Sequence, residues 1–575
     1  MRNISKIKDL LSKNWLLALL VPVIAGFFFA ASFYNFASQS KNYIKWSSPD
    51  ETANYTFAKL YAEEGRLEIA ERYNILVKDI MHPRSFRVFD GVLKPMSFLG
   101  IILLYGQLAH FLGAQVIPFL TPFFASLGLL FYFLLLKEIF DRKIAFLATL
   151  MLAVFPIYFY FSSKSMFHNI LFISLLVGGV YFLVRAAKRP FITRHFRSLE
   201  TDWLKILYFC LGGAFIGWSI ATRTSELLWL GPALIILFIF NWRRVAVWQA
   251  LLVVASALIA LLPVFYYNII LYGGPLTSGY AEVNTSISTL TVSSNSLIRQ
   301  AATFSTQNLY AISKSIFKTV FYFGFKPILA LKLFWKYTST LAPWLLYGSI
   351  LGFALWAAGY KKIRSGQFQL FLIFLIISAV LITYYGSWDF HDNPDKNAIT
   401  IGNSYTRYWL PIYLCLIAWL ALALSRLDKV IRNARAAWSI QIIIIFIFAL
   451  LGWRSVFGAG PESLTTNIAK SEVSHAQQLE VLKLTEHNSV IITKYQDKLF
   501  FPERKVVYGL FDDDGMVRQY SILARRLPVY FYSFTYPKND LQYLNERRLP
   551  AMGLQLKPIA AIDEFSLYKL IPLSR

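Results

Sequence analysis

Residues 15–37 read WLLALLVPVIAGFFFAASFYNFA. No charge interrupts them, and at about 1.5 Å of rise per residue a helix of that length matches the thickness of a bilayer core. Comparable apolar runs recur at about 115–136, 144–161, 166–184, 203–221, 226–241, 246–272, 342–360, 367–386, 406–424 and 437–455. The chain is 56% hydrophobic and only 15% charged over 575 residues, whereas a soluble domain carries roughly 25% charged residues. The pattern predicts an all-α polytopic membrane protein of about eleven transmembrane helices.

The net charge of +25 is unevenly placed. With the N-terminus in the cytoplasm, the inner loops carry 21 Lys and Arg against six acids. The short outer turns hold one base each: Lys164, Arg223 and Lys396. This bias sets the orientation by the positive-inside rule. Basic inner loops facing anionic lipid account for the charge, so no nucleic-acid partner is implied. The piece from about Phe98 to Gly113 is short and contains Gln107 and His110. As a span it would put the basic segment Arg185–Arg197 outside, so it reads as an interfacial or re-entrant helix. The first run is too long for a signal-peptide core and reads as an uncleaved anchor. Cys210 and Cys415 both fall within apolar runs, which leaves no disulfide framework and no cysteine metal site.

Residues 1–455 therefore read as a transmembrane domain with a first outer loop at 38–114 and a long outer loop at 273–341. Residues 456–575 read as a small extracytoplasmic α/β domain. They hold 15 bases and 13 acids, with strand-like runs at Ser489–Thr493, Lys505–Tyr508 and Pro528–Tyr532 after a helical pattern at Ser471–Leu484. A segment of that length can bury a core of its own.

The first outer loop opens Lys45-Trp46-Ser47-Ser48-Pro49-Asp50-Glu51. Ser48, Pro49 and Glu51 spell a capping box with proline at the first helical position. Acids in a first turn also suit the helix dipole. The two functions are compatible: Glu51 can cap while Asp50 takes a proton from a nucleophile. Further along, Met81-His82-Pro83-Arg84 and Gly91-Val92-Leu93-Lys94-Pro95 punctuate a loop. His82, Arg84 and Lys94 suit either headgroup-level anchoring or a cradle for a phosphate or sugar. Arg223 and Glu226 lie in a tight turn between two spans; they can pair with each other, or the Arg fork can hold a phosphate. Arg407 and Tyr408 enter a span as an aromatic-belt anchor or a second phosphate ligand. Asp389, His391 and Asp392 are candidate metal ligands without a strong signature, and His168 sits alone at a span end.

The acidic pair, the Lys-Pro before an interfacial helix, the Arg-containing turn and the late Arg-Tyr together resemble the GT-C superfamily of membrane glycosyltransferases. The resemblance covers roughly residues 10–425. It is nearest to the dolichyl-phosphate-mannose protein mannosyltransferase and aminoarabinose transferase branch. The stretch Asn268–Tyr280, ending Gly279-Tyr280, is similar to the start of that family's long outer loop. The resemblance implies an inverting transfer of a sugar from a polyprenyl-phosphate carrier at the outer face. It makes Asp50 the base, Glu51 its support, and Arg84, Arg223 and Arg407 candidates to neutralise the departing phosphate. The acceptor would be a protein, a lipid or a polysaccharide of the cell envelope, and the expected location is the plasma membrane. Relatives carry a second acid after the third span; here the sequence is Met166-Phe167-His168-Asn169, with no carboxylate, so a divalent metal is an open candidate rather than an implied cofactor. The alternatives are a transporter or flippase of a lipid-linked sugar, which predicts repeat-related broken helices, and a non-catalytic membrane assembly subunit.

Overall fold

The computed structural model describes residues 15–40, 43–188, 199–280, 314, 317–318, 320–390, 392, 395, 397–458 and 460–573. Among them, nine helices are long and apolar enough to cross a membrane, and two bent pairs raise that to eleven if each pair is one span. The nine are Trp15–Ser38, Ala114–Ile139, His168–Lys188, Trp203–Thr222, Thr224–Asn241, Val247–Tyr272, Ser365–Gly386, Leu410–Val430 and Ala434–Phe457. Every apolar run read from the sequence has its helical counterpart, and the chain is an integral membrane protein.

The two broken spans have one physical cause. Arg142–Val154 and Pro156–Ser163 meet at 57°, and Pro327–Leu341 and Pro343–Ala358 at 110°. In each case proline opens the second helix. Proline lacks the N–H that would continue the ladder and pushes the residue before it out of the helical region. Phe155 accordingly sits at ψ 120° and Ala342 at ψ 63°. The helix Pro327–Leu341 was hidden within the long outer loop because Lys332 and Lys336 interrupt its apolar run. The interfacial candidate is a helix, Leu99–Leu112, of 14 residues.

The chain divides into two compact units. The first comprises Met1–Asn35, Pro118–Tyr267 and Ala281–Thr466; the second comprises Phe36–Ile117, Asn268–Tyr280 and Asn467–Arg575. Small residues let helices approach within the first unit. A Cβ on Gly213 would meet the Val253 carbonyl oxygen at 2.3 Å, and one on Gly217 the Ala257 oxygen at 2.4 Å. These two glycines, one helical turn apart, seat Trp203–Thr222 against Val247–Tyr272.

The second unit is built on two sheets. Strands β1 (Ile69–Ala70), β2 (Phe86–Phe89) and β3 (Val92–Pro95) form an antiparallel sheet of order β1-β3-β2. Strands β4 (Val490–Thr493), β5 (Lys505–Tyr508), β6 (Val529–Phe534), β7 (Leu554–Ile562) and β8 (Phe565–Pro572) form a mixed sheet of order β5-β4-β6-β8-β7. β4 pairs in parallel with β5 and β6, whereas β8 pairs antiparallel with β6 and β7. The β4 sequence Val-Ile-Ile-Thr is buried throughout, as a strand covered on both faces must be. β7 carries Pro558 at an irregularity of an edge strand, where a missing N–H costs least. The apolar core around Val490, Ile492, Val507 and Phe531 also takes in Val77 and Met81 of the first outer loop. The fold is thus a polytopic helical protein with a small C-terminal sheet, as the periodicity predicts, and the tail's core is completed by the first loop.

Candidate functional site

The acidic pair opens the helix Pro49–Glu64, and its two members do different things. The Glu51 Oε2 accepts the Ser48 backbone N–H at 2.8 Å and the Ser47 hydroxyl at 3.1 Å, closing the capping box. Glu51 is 1% exposed. Asp50 is half-buried, and its Oδ1 accepts the Ser85 hydroxyl at 2.7 Å. Its Oδ2 makes no hydrogen bond among the described residues. One carboxylate is committed to the helix end; the other keeps an oxygen available.

Ser85 is held in place by its neighbour. It has φ 63°, a left-handed conformation that a residue with a Cβ adopts only when its surroundings impose it. Arg84 imposes it through Asp497. The Arg84 backbone N–H donates to Asp497 Oδ2 at 2.8 Å, Nη2 to Oδ1 at 2.7 Å, and Nε to both oxygens at 3.2 Å. The Asp497 side chain is fully buried, and the Arg84 guanidinium lies 4.9 Å over the Tyr508 ring. Two more ion pairs join the same loop to the tail: Lys45 with Glu503 and Lys505 with Glu71. Burial pushes the Lys45 ammonium pKa below that of an ordinary lysine, against the attraction of Glu503.

The remaining sequence candidates in this unit are locally engaged. His82 Nδ1 lies 2.9 Å from the Pro83 carbonyl. Lys94 donates to the Leu271 carbonyl at 2.9 Å and pairs with Glu68 at 3.1 Å. Arg87, at 3.2 Å and 3.3 Å from the Ser278 and Gly279 carbonyls, fastens the segment that ends in Tyr280. The Tyr280 ring packs on Phe98 at 5.0 Å.

The membrane unit holds a second constellation. Arg223 Nε donates to Glu226 Oε1 at 2.9 Å, and Nη2 donates to the Tyr385 hydroxyl at 2.7 Å. That hydroxyl donates in turn to Glu226 Oε1 at 2.9 Å, and the Trp229 indole N–H reaches Oε2 at 2.5 Å. Tyr385 and Tyr408 stack at 4.2 Å with 15° between their planes, and Arg223 lies 4.7 Å over the Tyr408 ring. Arg407 Nη2 donates to the Ser404 hydroxyl at 2.9 Å, with its guanidinium 4.5 Å over Phe167 and 5.2 Å over Tyr408. His168 is buried beside Asn169, whose amide donates to the Arg407 carbonyl at 3.2 Å.

The candidate metal loop is described only at Asp389 and Asp392. Asp392 Oδ2 accepts the Ser404 N–H at 2.7 Å, Asp389 is exposed, and His391 lies outside the described residues. Among the described residues no group of three or more His, Cys, Asp or Glu could hold a metal ion.

The path of the chain has solved counterparts. Against the oligosaccharyltransferase of Archaeoglobus fulgidus tethered to an acceptor peptide, the TM-score is 0.55 at 13% identity, over 96% of this chain and 73% of that one. The apo form of that oligosaccharyltransferase gives 0.51 at 12% identity, over 93% and 73%. ArnT from Cupriavidus metallidurans in the apo state aligns over 97% of this chain and 98% of its own, at 12% identity and a TM-score of 0.49. The chain has the GT-C fold. No protein-family model matches the sequence. No curated protein matches it either.

Within the GT-C fold, sequence reading found both acids, the paired turn and the late Arg-Tyr, and it missed their partners. Ser85 carried no signal except its place beside Arg84. Asp497 and Tyr385 lie hundreds and tens of residues from Arg84 and from Tyr408, respectively, and nothing local marks them. Trp229 stands three residues from Glu226, a helical spacing that could have suggested the contact.

Proposed function

We propose that the protein is an inverting glycosyltransferase that moves a sugar from a polyprenyl-phosphate carrier to an acceptor on the extracytoplasmic side of a plasma membrane. The observation that carries this reading is the division of labour at the acidic pair: Glu51 is consumed by the capping box, and Asp50 retains an oxygen with no hydrogen bond among the described residues. A general base needs such an oxygen within about 2.6–3.2 Å of the proton it removes.

The assigned step is a single displacement. The acceptor's nucleophilic atom forms a bond to the anomeric carbon, its proton passes to Asp50, and the carbon–oxygen bond to the carrier phosphate breaks with both electrons leaving on phosphate. Negative charge on that leaving group is what a fixed guanidinium stabilises best, a role that the resemblance offers to Arg223 and Arg407. Arg223 is already hydrogen-bonded to Glu226 and Tyr385, which fixes its orientation. Arg84 is assigned to positioning, through Asp497 and Ser85. A cavity of about 480 Å³ in the membrane unit, lined by Leu136, Ile173, Leu230, Ala233 and Ile373 and reaching Trp229, suits part of a prenyl chain. The acceptor class is a protein, a lipid or a polysaccharide; dolichol-phosphate and acceptor peptide occur in the complexes of the A. fulgidus enzyme.

The test is release of lipid phosphate from a panel of radiolabelled polyprenyl-phosphate sugars, with wild type beside Asp50→Asn in the presence of candidate acceptors. Turnover by wild type and none by the variant is expected. Full activity in Asp50→Asn would remove the assigned base.

A further inference from the structure

The winding of the tail sheet reverses between two neighbouring strands. The parallel strands β5, β4 and β6 lie side by side in that order. From β4 the chain goes to β5 on one side; from β6 it leaves for β7 on the other. In open sheets, ligands bind in the crevice outside the carboxyl ends of two strands whose connections part in this way. The residues at that end are aromatic. β6 ends in Phe534, and Tyr495 stands just past the end of β4. The parallel register Ile492↔Phe531, continued to the end of β6, brings Tyr495 beside Phe534. Their rings meet at 5.3 Å with 59° between the planes. Phe565 of β8 backs Phe534, stacked at 4.6 Å and 21°. The pair is thus held from behind, yet Tyr495 is 44% and Phe534 45% exposed.

Single exposed apolar side chains are ordinary, but two rings in contact at a switch crevice make a continuous surface. Polar groups border it. The exposed residues Asp563 and Glu564 form the β7–β8 turn, and the Glu564 carbonyl accepts the Thr535 N–H at 3.0 Å. A pyranose offers a face of C–H bonds, which packs on the negative face of an aromatic ring, and a rim of hydroxyls, which carboxylate oxygens accept. The same carboxylates oppose an anionic ligand. Strand ends present no open ladder edge with which a peptide could pair. The crevice is also tied to the assigned base. Asp497, two residues after Tyr495, binds Arg84, and the adjacent Ser85 donates to Asp50.

We propose that Tyr495 and Phe534 form a saccharide-binding platform that receives a neutral pyranose of the acceptor, which makes the acceptor a carbohydrate or a carbohydrate-bearing molecule. That the bound sugar belongs to the acceptor rests on the transferase reading above; the platform itself is measured by binding, without turnover.

The experiment follows binding to the full-length protein in nanodiscs by saturation-transfer NMR. The probes are neutral gluco-, manno- and N-acetylglucosamine oligosaccharides, a sulfated oligosaccharide and a set of Ser/Thr-containing peptides. Wild type is expected to bind neutral oligosaccharides, with saturation passing to their ring C–H protons, and to bind the sulfated one more weakly. Tyr495→Ala should weaken that binding by about tenfold, and Tyr495→Phe, which keeps the ring, should hold it within about twofold. Thermal unfolding checks each variant; if Tyr495→Ala does not fold, Tyr495→Leu keeps apolar bulk without the ring face and must show the same loss. Unchanged affinity in the ring-deleted variant, or no binding of any neutral oligosaccharide at about 10 mM, would overturn the platform. Peptide binding that depends on Tyr495 would overturn the saccharide in favour of a peptide, and tighter binding of the sulfated probe would overturn the neutral class. In the turnover assay, Tyr495→Ala should raise the acceptor KM by about tenfold more than it lowers kcat. An enzyme whose acceptor KM ignores Tyr495→Ala refutes this inference alone; a protein that binds saccharide through Tyr495 without turning over any donor refutes the transferase reading alone.

Discussion

The Ser85 hydroxyl donates to Asp50 Oδ1 at 2.7 Å, from a residue held at φ 63°. That hydrogen bond fixes which carboxylate oxygen stays available, and it depends on a turn that serine does not adopt by preference. Replacing Ser85 by Gly keeps the turn and deletes the hydroxyl, because glycine enters the left-handed region freely. Ser85→Ala deletes the hydroxyl and keeps the strain. Both variants should lose about tenfold in kcat with little change in donor KM, while Ser85→Gly melts higher than Ser85→Ala. Steady-state kinetics and thermal unfolding of the pair check this; full kcat in Ser85→Gly would detach the hydroxyl from the chemistry.

Asp497 is fully buried and depends on Arg84 for its compensation. Removing one partner strands a charge, and removing both does not. Arg84→Met should destabilise the second unit by about 3 kcal/mol, and the double variant Arg84→Met/Asp497→Leu should recover much of that loss. Chemical denaturation of the four proteins gives the cycle. Additive losses would mean that the pair is not coupled.

Tyr385 joins Arg223 to Glu226 through a single hydroxyl. Tyr385→Phe leaves the stack on Tyr408 and removes only that oxygen, so the stability loss should be about 1–2 kcal/mol. If Arg223 serves the leaving group, kcat falls with it. Unaltered turnover with lowered stability would restrict the cluster to a packing role.

Glu486 links the stability of the tail sheet to pH. Burial acts to raise its pKa, but hydrogen bonds donated by the Tyr530 hydroxyl and Lys569 outweigh it and hold the carboxyl below the ordinary range. A depressed folded pKa stabilises above the unfolded value, near 4.3 for glutamate, and that contribution is lost as pH falls through the folded value. Hydrogen exchange in β6 and β8 should therefore accelerate as pH falls below about 4 after correction for intrinsic rates, and Glu486→Gln should flatten that dependence. An identical profile in the variant would assign the acid sensitivity elsewhere.

Ala233 lines the membrane cavity. Ala233→Trp fills it, and binding of polyprenyl phosphate should weaken by about tenfold while binding of a short-chain analogue persists. Equal loss for both chain lengths would place the prenyl tail outside this cavity.

The eleven apolar runs, the β4 strand and the Ser48–Glu51 capping box were legible because each is a local pattern: a hydropathy length, a buried apolar run, a side chain reaching three residues. The two breaks at Pro156 and Pro343 were equally local and were passed over, since a hydropathy window averages across a proline. What no window could deliver were Ser85 on Asp50, Asp497 on Arg84, and Tyr385 between Arg223 and Glu226.

The sequence by itself determined that the chain crosses a membrane many times, and that an acidic pair begins the first helix after the first span. Those features follow from short-range sterics, hydrogen bonding and the free energy of moving apolar side chains out of water. Only the tertiary structure decided that Glu51 caps while Asp50 keeps an oxygen without a hydrogen bond among the described residues, and that Arg84 is bound to the tail. A buried charge is defined by what surrounds it, and those surroundings come from residues up to several hundred positions away in the chain.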